Sequence, residues 1–306
     1  MTGMLWASLG LSMGAAILYA SLALRRPIDL TYLAFAGMMA LLAVFLYFET
    51  VLAGADTLDA ATTAVRRQVF AAHGFCACAL VFIPAYAGVR PPRWLMVVLA
   101  GVLAVFFVEN LIAPYGLSFN GRPALLRGHL FGRRYTTLAA QPMSTLQVAY
   151  ASYMLALQAI SLGLTVVLFR RGKTQRATAL AISLVLIGVA NGADILRDVK
   201  GASWPYVGEY GLVALALIMS VQLAREFRMK TESLAIAIQE VTRQAEQLAA
   251  ILGALRTLED SMLASVATLE AGMARLAARA GDTADLARLG RAVTRLREVS
   301  RAMSPA

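Results

Sequence analysis

Charge, lysine, histidine and cysteine are all scarce in this chain of 306 residues. Charged side chains make up 15% of it, there are two cysteines and two histidines, and lysine stands only at 173, 200 and 230. Cys76 and Cys78 lie together inside an apolar stretch, so no disulfide framework is implied. A closed zinc site wants four nitrogen or sulfur ligands and a bis-imidazole haem wants two histidines; only His73 and the distant His129 are on offer, so metal and haem are not expected. The last long apolar stretch, 207–227, has no lysine, which removes the Schiff-base anchor that retinal needs in proteins of the microbial rhodopsin type. A glycine-rich phosphate loop and a histidine-rich metal motif are also missing, so the chain is expected to be no enzyme and to carry no cofactor.

What the chain has in excess is apolar surface. Hydrophobic residues make up 59% and mean hydropathy is +0.67, more than a soluble fold of this length can bury. A bilayer core about 30 Å thick takes about 20 apolar residues per helix. Seven stretches qualify: 4–24, 30–53, 68–88, 94–113, 146–169, 178–196 and 207–227. The net charge of +10 does not point to nucleic acid, because the basic residues sit in short runs between these stretches. Arg25 and Arg26, Arg90 and Arg93, the run Arg170, Arg171, Lys173 and Arg176, and finally Arg225, Arg228 and Lys230 mark alternate connections. The positive-inside rule makes that side cytoplasmic, with the N-terminus outside and the C-terminus inside. No basic residue precedes the first stretch and two arginines follow it, which favours an uncleaved helix over a signal peptide.

The outer connections are then 54–67, 114–145 and 197–206. The middle one holds Pro114, Gly116, Gly121, Pro123, Gly128, Gly132 and Pro142 among β-prone pieces, Leu117 to Phe119 and Tyr135 to Leu138, and reads as a small cap with a hairpin. Ionisable and amide residues cluster towards the same side: Glu49, His73, Glu109, Asn110, Asn191, Asp194 and Glu209. Charges in lipid are costly, so such residues usually face a bundle interior or water, and a shared outer pocket is one reading. The other is that they cap helix ends at the interface. Asn191 and Asp194 share a helix face, Arg197 is placed to pair with Asp194, and Arg67 is placed to pair with Glu49 or Glu109.

Beyond the seventh stretch no proline occurs until Pro305, and apolar residues recur at Leu234, Ile238, Val241, Ala245, Leu248, Leu252 and Leu255, alternating spacings of 4 and 3. That is a coiled-coil seam. The alternation breaks at Leu258, Met262 and Val266, resumes to Ala280, and is followed by Gly281 and Asp282, a stop and a new N-cap. The reading is a stalk, 228–280, and a terminal helix, 281–306, folded as a hairpin, with two copies pairing as a homodimer.

Four stretches carry a likeness: Arg66-Arg67-Gln68, Asn110 to Gly116, Asn191-Gly192-Ala193-Asp194, and Pro205 to Gly211. With the layout of residues 1–227 they resemble the seven-helix sensor modules at the N-terminus of bacterial sensor histidine kinases. The resemblance implies a multi-pass protein of the bacterial inner membrane that senses an outer or in-membrane stimulus and passes it through a dimeric cytoplasmic coil, as in two-component signalling. Those kinases carry a phosphoacceptor histidine and an ATP-binding domain, whereas here no histidine follows His129 and the sequence ends at Ala306. Output is therefore expected through an unidentified cytoplasmic partner protein, with membrane lipid as the surrounding partner. The alternative is a transporter or channel with a coiled oligomerisation tail, which the lack of an internal repeat and of mid-span polar groups disfavours. The fold class expected is all-α: a seven-helix transmembrane bundle, then a coiled coil and helical hairpin.

Overall fold

A computed structural model describes residues 2–24, 29–130, 133–139, 141, 144–200, 207–279, 288, 290–295 and 297–298. Its elements are α1 (Thr2–Ala23), α2 (Leu30–Ala53), α3 (Leu58–Ala87), α4 (Arg93–Ile112), β1 (Leu125–Leu130), β2 (Arg133–Leu138), α5 (Thr145–Arg170), α6 (Thr174–Lys200) and α7 (Gly208–Arg279). All seven expected stretches are helices, each long and apolar enough to cross a membrane. The chain divides into two units, Met1–Glu226 and Phe227–Ala306.

Local chemistry sets the helix starts. Asp29 accepts from the Thr31 amide at 2.9 Å, Thr57 from Ala60 at 3.2 Å, and Ser144 with Gln147 forms a reciprocal capping box ahead of α5. Observed and expected spans agree to within a turn, with one exception. Helix α3 begins at Leu58 rather than 68, because the segment Leu58 to Arg67 is rich in alanine and forms helix although it is too polar to register as a membrane stretch. The connection expected over 54–67 thus shrinks to a short turn. Helix α7 runs on past the seventh span, 72 residues in all, over the stretch expected as a helical stalk.

The first unit is built around α2, which packs against α1 on one side and α3 on the other. Phe35, Met38, Met39, Leu42 and Leu46 on α2 are all but fully buried. Outward faces are apolar too: Val97, Ile112, Val189 and Ile17 are 70%, 71%, 67% and 67% exposed. A bundle apolar inside and out suits lipid, where backbone groups are satisfied within each helix. Between α4 and α5, β1 and β2 pair antiparallel from Leu125 opposite Leu138 to Leu130 opposite Arg133. The second β-prone piece of the sequence is therefore a strand, whereas the first strand lies at 125–130 and not at Leu117 to Phe119. Leu138 and Leu125 pack on Leu52, Ala55, Ala61 and Ala64, and Thr136 donates to the Ala55 carbonyl at 3.1 Å, so the hairpin sits over the α2–α3 turn.

Helices α6 and α7 approach closely at Gly211. A Cβ there would stand 2.9 Å from Ala190 Cβ, 3.1 Å from Ile187 Cα and 3.3 Å from the Leu186 carbonyl oxygen, two of them backbone atoms that cannot swing aside. In the second unit, Leu234, Ile238, Val241, Leu248, Leu252 and Leu255 are between 57% and 65% exposed on a single chain. Further along, Val266 and Val293 are buried, Met273 touches Gly290, and Arg297 pairs with Glu270 at 3.5 Å, so the described part of the terminal helix folds back on the end of α7. The expected turn at Gly281 and Asp282 lies outside the described residues. Gly211→Val is expected to cost about 1–3 kcal/mol, the usual penalty of overpacking. A lowered melting temperature in detergent checks this, and a melt like that of the unaltered protein contradicts the close approach.

Candidate functional site

At the hairpin end of the bundle, α2, α6 and α7 bring three carboxylates together. Glu49, Asp194 and Glu209 interact electrostatically with one another. Glu49 and Asp194 have different anchors. Gln68 on α3 donates its side-chain amide to Glu49 Oε2. Asp194 accepts from the backbone amides of Val207 at 2.7 Å and Gly208 at 2.8 Å, so a side chain of α6 caps the start of α7. That contact explains Gly208, where a Cβ would stand 2.6 Å from Asp194 Oδ2 and 3.3 Å from Asn191 Oδ1. Glu209 is 3% exposed and its Oε1 has no hydrogen-bond partner among the described residues. Neither Glu49 nor Glu209 is ion-paired to a basic side chain among the described residues. Arg197 is the largest fully buried side chain.

The structure separates the other candidates from this cluster. Arg67 does not pair with Glu49 or Glu109. It is exposed and its guanidinium lies over the Phe48 ring at 5.5 Å. Consecutive helix residues are about 100° apart, and it is Gln68, one position on, that faces inward. Glu109 is half-buried, and its carboxylate makes no hydrogen bond or ion pair with a described residue. Asn110 next to it is fully buried in a different role: its Oδ1 accepts from the Leu117 amide at 2.9 Å and its Nδ2 donates to the Arg66 carbonyl at 3.2 Å. Arg66 in turn donates to the Asn110 carbonyl at 2.9 Å and to that of Leu111, closing the end of α4 onto α3. This is a structural latch.

His73 belongs to an aromatic cluster. Its ring stacks on Tyr150 at 5.3 Å, stands edge-on to Phe107 at 6.2 Å, and its Nδ1 meets the Val69 carbonyl at 2.6 Å. Cys76 lies nearby against Met154, with Sγ to Sδ at 3.8 Å. Among the described residues no three histidine, cysteine, aspartate or glutamate side chains are grouped as metal ligands would be.

At the opposite end lies a second polar cluster that sequence reasoning missed. Arg176 at the start of α6 embraces Glu226 on α7, Nε to Oε1 at 2.8 Å and Nη2 to Oε2, and Gln222 donates to the same carboxylate at 3.0 Å. The guanidinium also rests over the Tyr86 ring at 5.4 Å. From there an aromatic row runs through Phe82, Phe35 and Tyr19, whose hydroxyl donates to the Ser220 carbonyl at 2.6 Å. Glu226 is a carboxylate at the C-terminal edge of the apolar stretch 207–227, which was the available signal; Arg176 was read only as part of a basic run.

Taken together, fold and clusters define a class: an all-α bundle of seven helices suited to lipid, with a carboxylate cluster near one end and an arginine–glutamate pair near the other. No protein-family model matches the chain, and no curated protein does.

Two outcomes follow. Asn110→Leu leaves the buried Leu117 amide without its partner and is expected to cost about 2 kcal/mol, while Glu109→Gln leaves the melt unchanged; equal effects contradict the separation of these neighbours. Arg176→Met strands the Glu226 charge and is expected to cost about 3 kcal/mol, with most of the loss recovered in the double variant Arg176→Met, Glu226→Leu. Additive losses in that cycle contradict the pairing.

Proposed function

We propose that the chain is a signal-sensing receptor module of a bacterial inner membrane, with the hairpin end outside and the tail in the cytoplasm. The observation that carries this reading is the grip of Asp194 on the first amides of α7. The helix that continues into the tail is the one whose start is held by the carboxylate cluster. A cationic ligand or an uptake of protons at Glu49, Asp194 and Glu209 adds positive charge where Glu209 Oε1 has no partner among the described residues and the carboxylates repel one another. Such a change competes for Asp194 and alters how α7 is seated. A ligand shifts a two-state element only by its differential affinity for the two states, and a carboxylate shared between a ligand and a helix terminus supplies that difference.

The output side rests on the apolar row of the tail. A single helix leaving Leu248, Leu252 and Leu255 well over half exposed is stabilised by a second copy meeting the same seam. The spacing and the likeness to kinase sensor modules both support a parallel homodimer, which passes a change of packing to a cytoplasmic partner protein. The clustered carboxylates lie towards the ends of the bundle, a distribution that suits a switch at the membrane surface better than a charged transport path through the midplane.

The test is a cysteine cross-linking scan of residues 234–276 in membranes, with Cys76 and Cys78 replaced. Strong disulfides at 248, 252 and 255 with weak ones between are expected. A flat, concentration-dependent profile overturns the dimeric output.

A further inference from the structure

A cleft of about 560 Å³ opens between the first turns of α6 and the facing stretch of α7. Its volume falls in the range of about 300–1,000 Å³ typical of small-molecule sites. The lining changes character along its length. Thr174, Gln175 and Arg225 stand at the end where α6 begins, and Ile182, Leu217 and Ile218 line the other end. Because the two helices run in opposite directions, Thr174 to Ile182 on α6 and Arg225 to Leu217 on α7 each cover about 12 Å of rise. Both walls therefore pass from polar to apolar over the same depth. Ile182 and Leu217 are 48% and 43% exposed, so the cleft opens sideways, towards lipid.

The polar end is positively charged. Arg225 is exposed, and none of the described salt bridges uses it. The acidic neighbour Glu226 is turned inward and engaged by Arg176 and Gln222. Arg170, Arg171 and Lys173 immediately precede Thr174. A hydrocarbon chain fits the apolar walls, and an anionic group at its head fits a cation flanked by hydroxyl and amide donors.

We propose that this cleft binds one anionic phospholipid from the adjoining leaflet, its phosphate on Arg225 and one acyl chain along Leu217 and Ile218. The proposal rests on the membrane reading of the helices and not on the receptor reading. It also gives the lipid a contact with the ion pair, since Gln222 both lines the cleft and donates to Glu226 at 3.0 Å.

The experiment is native mass spectrometry of the delipidated full chain offered equal amounts of phosphatidylglycerol and phosphatidylcholine. One retained phosphatidylglycerol, preferred by about fivefold, is expected, the factor that one basic side chain contributes to binding an anionic lipid. Arg225→Ala should bring that preference to unity, Arg225→Lys should keep most of it, and Ile218→Trp should displace both lipids by filling the cleft. Arg93→Ala, at an exposed arginine on α4, should change nothing. Equal retention of the two lipids overturns the proposal, as does an unchanged preference in Arg225→Ala or an equal loss in Arg93→Ala. Displacement of the lipid by soluble glycerol phosphate would point to a free-anion site instead and would equally overturn it.

Discussion

The amides at the start of a helix have no partners within it, and when that start lies against apolar helices another element must supply them. In this chain the first amides of α7 are held by Asp194, two backbone donors on one carboxylate, supplied from α6. Much else at that end follows from the contact. It requires Gly208 beneath the carboxylate, and a few residues on Gly211 lets the two helix backbones close to van der Waals distance. It also fixes a negative charge next to Glu49 and Glu209, and the partial positive charge of the helix terminus offsets part of the repulsion among the three.

The same helix is gripped a second time. From Gly208 to Glu226 is about 27 Å of helix, close to the hydrocarbon thickness of a bilayer. Asp194 holds one end of that stretch and Arg176 the other. The two clamps differ in kind. Asp194 binds backbone, and a competing cation weakens it without removing any side chain. The Arg176 and Glu226 pair, braced by Gln222 and Tyr86, is a closed ionic contact whose rupture leaves a buried charge. Between the two clamps the Tyr19 hydroxyl donates to the Ser220 carbonyl, so this stretch of α7 is held by polar contacts at both ends and once within it.

Hydropathy made the seven helices legible, because apolar runs of the right length leave little choice of structure. It also placed the acidic residues at one depth. What it did not give was the direction each side chain faces around its helix. Arg67 and Gln68 differ by one residue, yet Gln68 meets Glu49 while Arg67 rests on Phe48. Asn110 and Glu109 differ in the same way, and the loop beyond α4 decides between them by offering the Leu117 amide to Asn110. The early start of α3 was hidden because Asp59, Arg66, Arg67 and two threonines lower the hydropathy of a segment whose alanines favour helix; Thr57 with Asp59 in the first turn was the signal available. Glu226 was passed over because it stands at the edge of an apolar stretch beside basic residues, where its partner looked like one more charge of the positive-inside set.

We propose that the seat of α7 under Asp194 and the packing of the tail are coupled states of one helix. Disulfide formation by Leu252→Cys in membranes, with Cys76 and Cys78 replaced, reads the tail directly. Comparing it with Asp194 intact and with Asp194→Ala isolates the coupling. A change in cross-linking rate of about fivefold or more, the lower end of typical coupling between distant sites, is the result this account predicts. An unchanged rate in a variant that still inserts and melts cooperatively would contradict it, and would leave the carboxylate cluster as a structural cap alone.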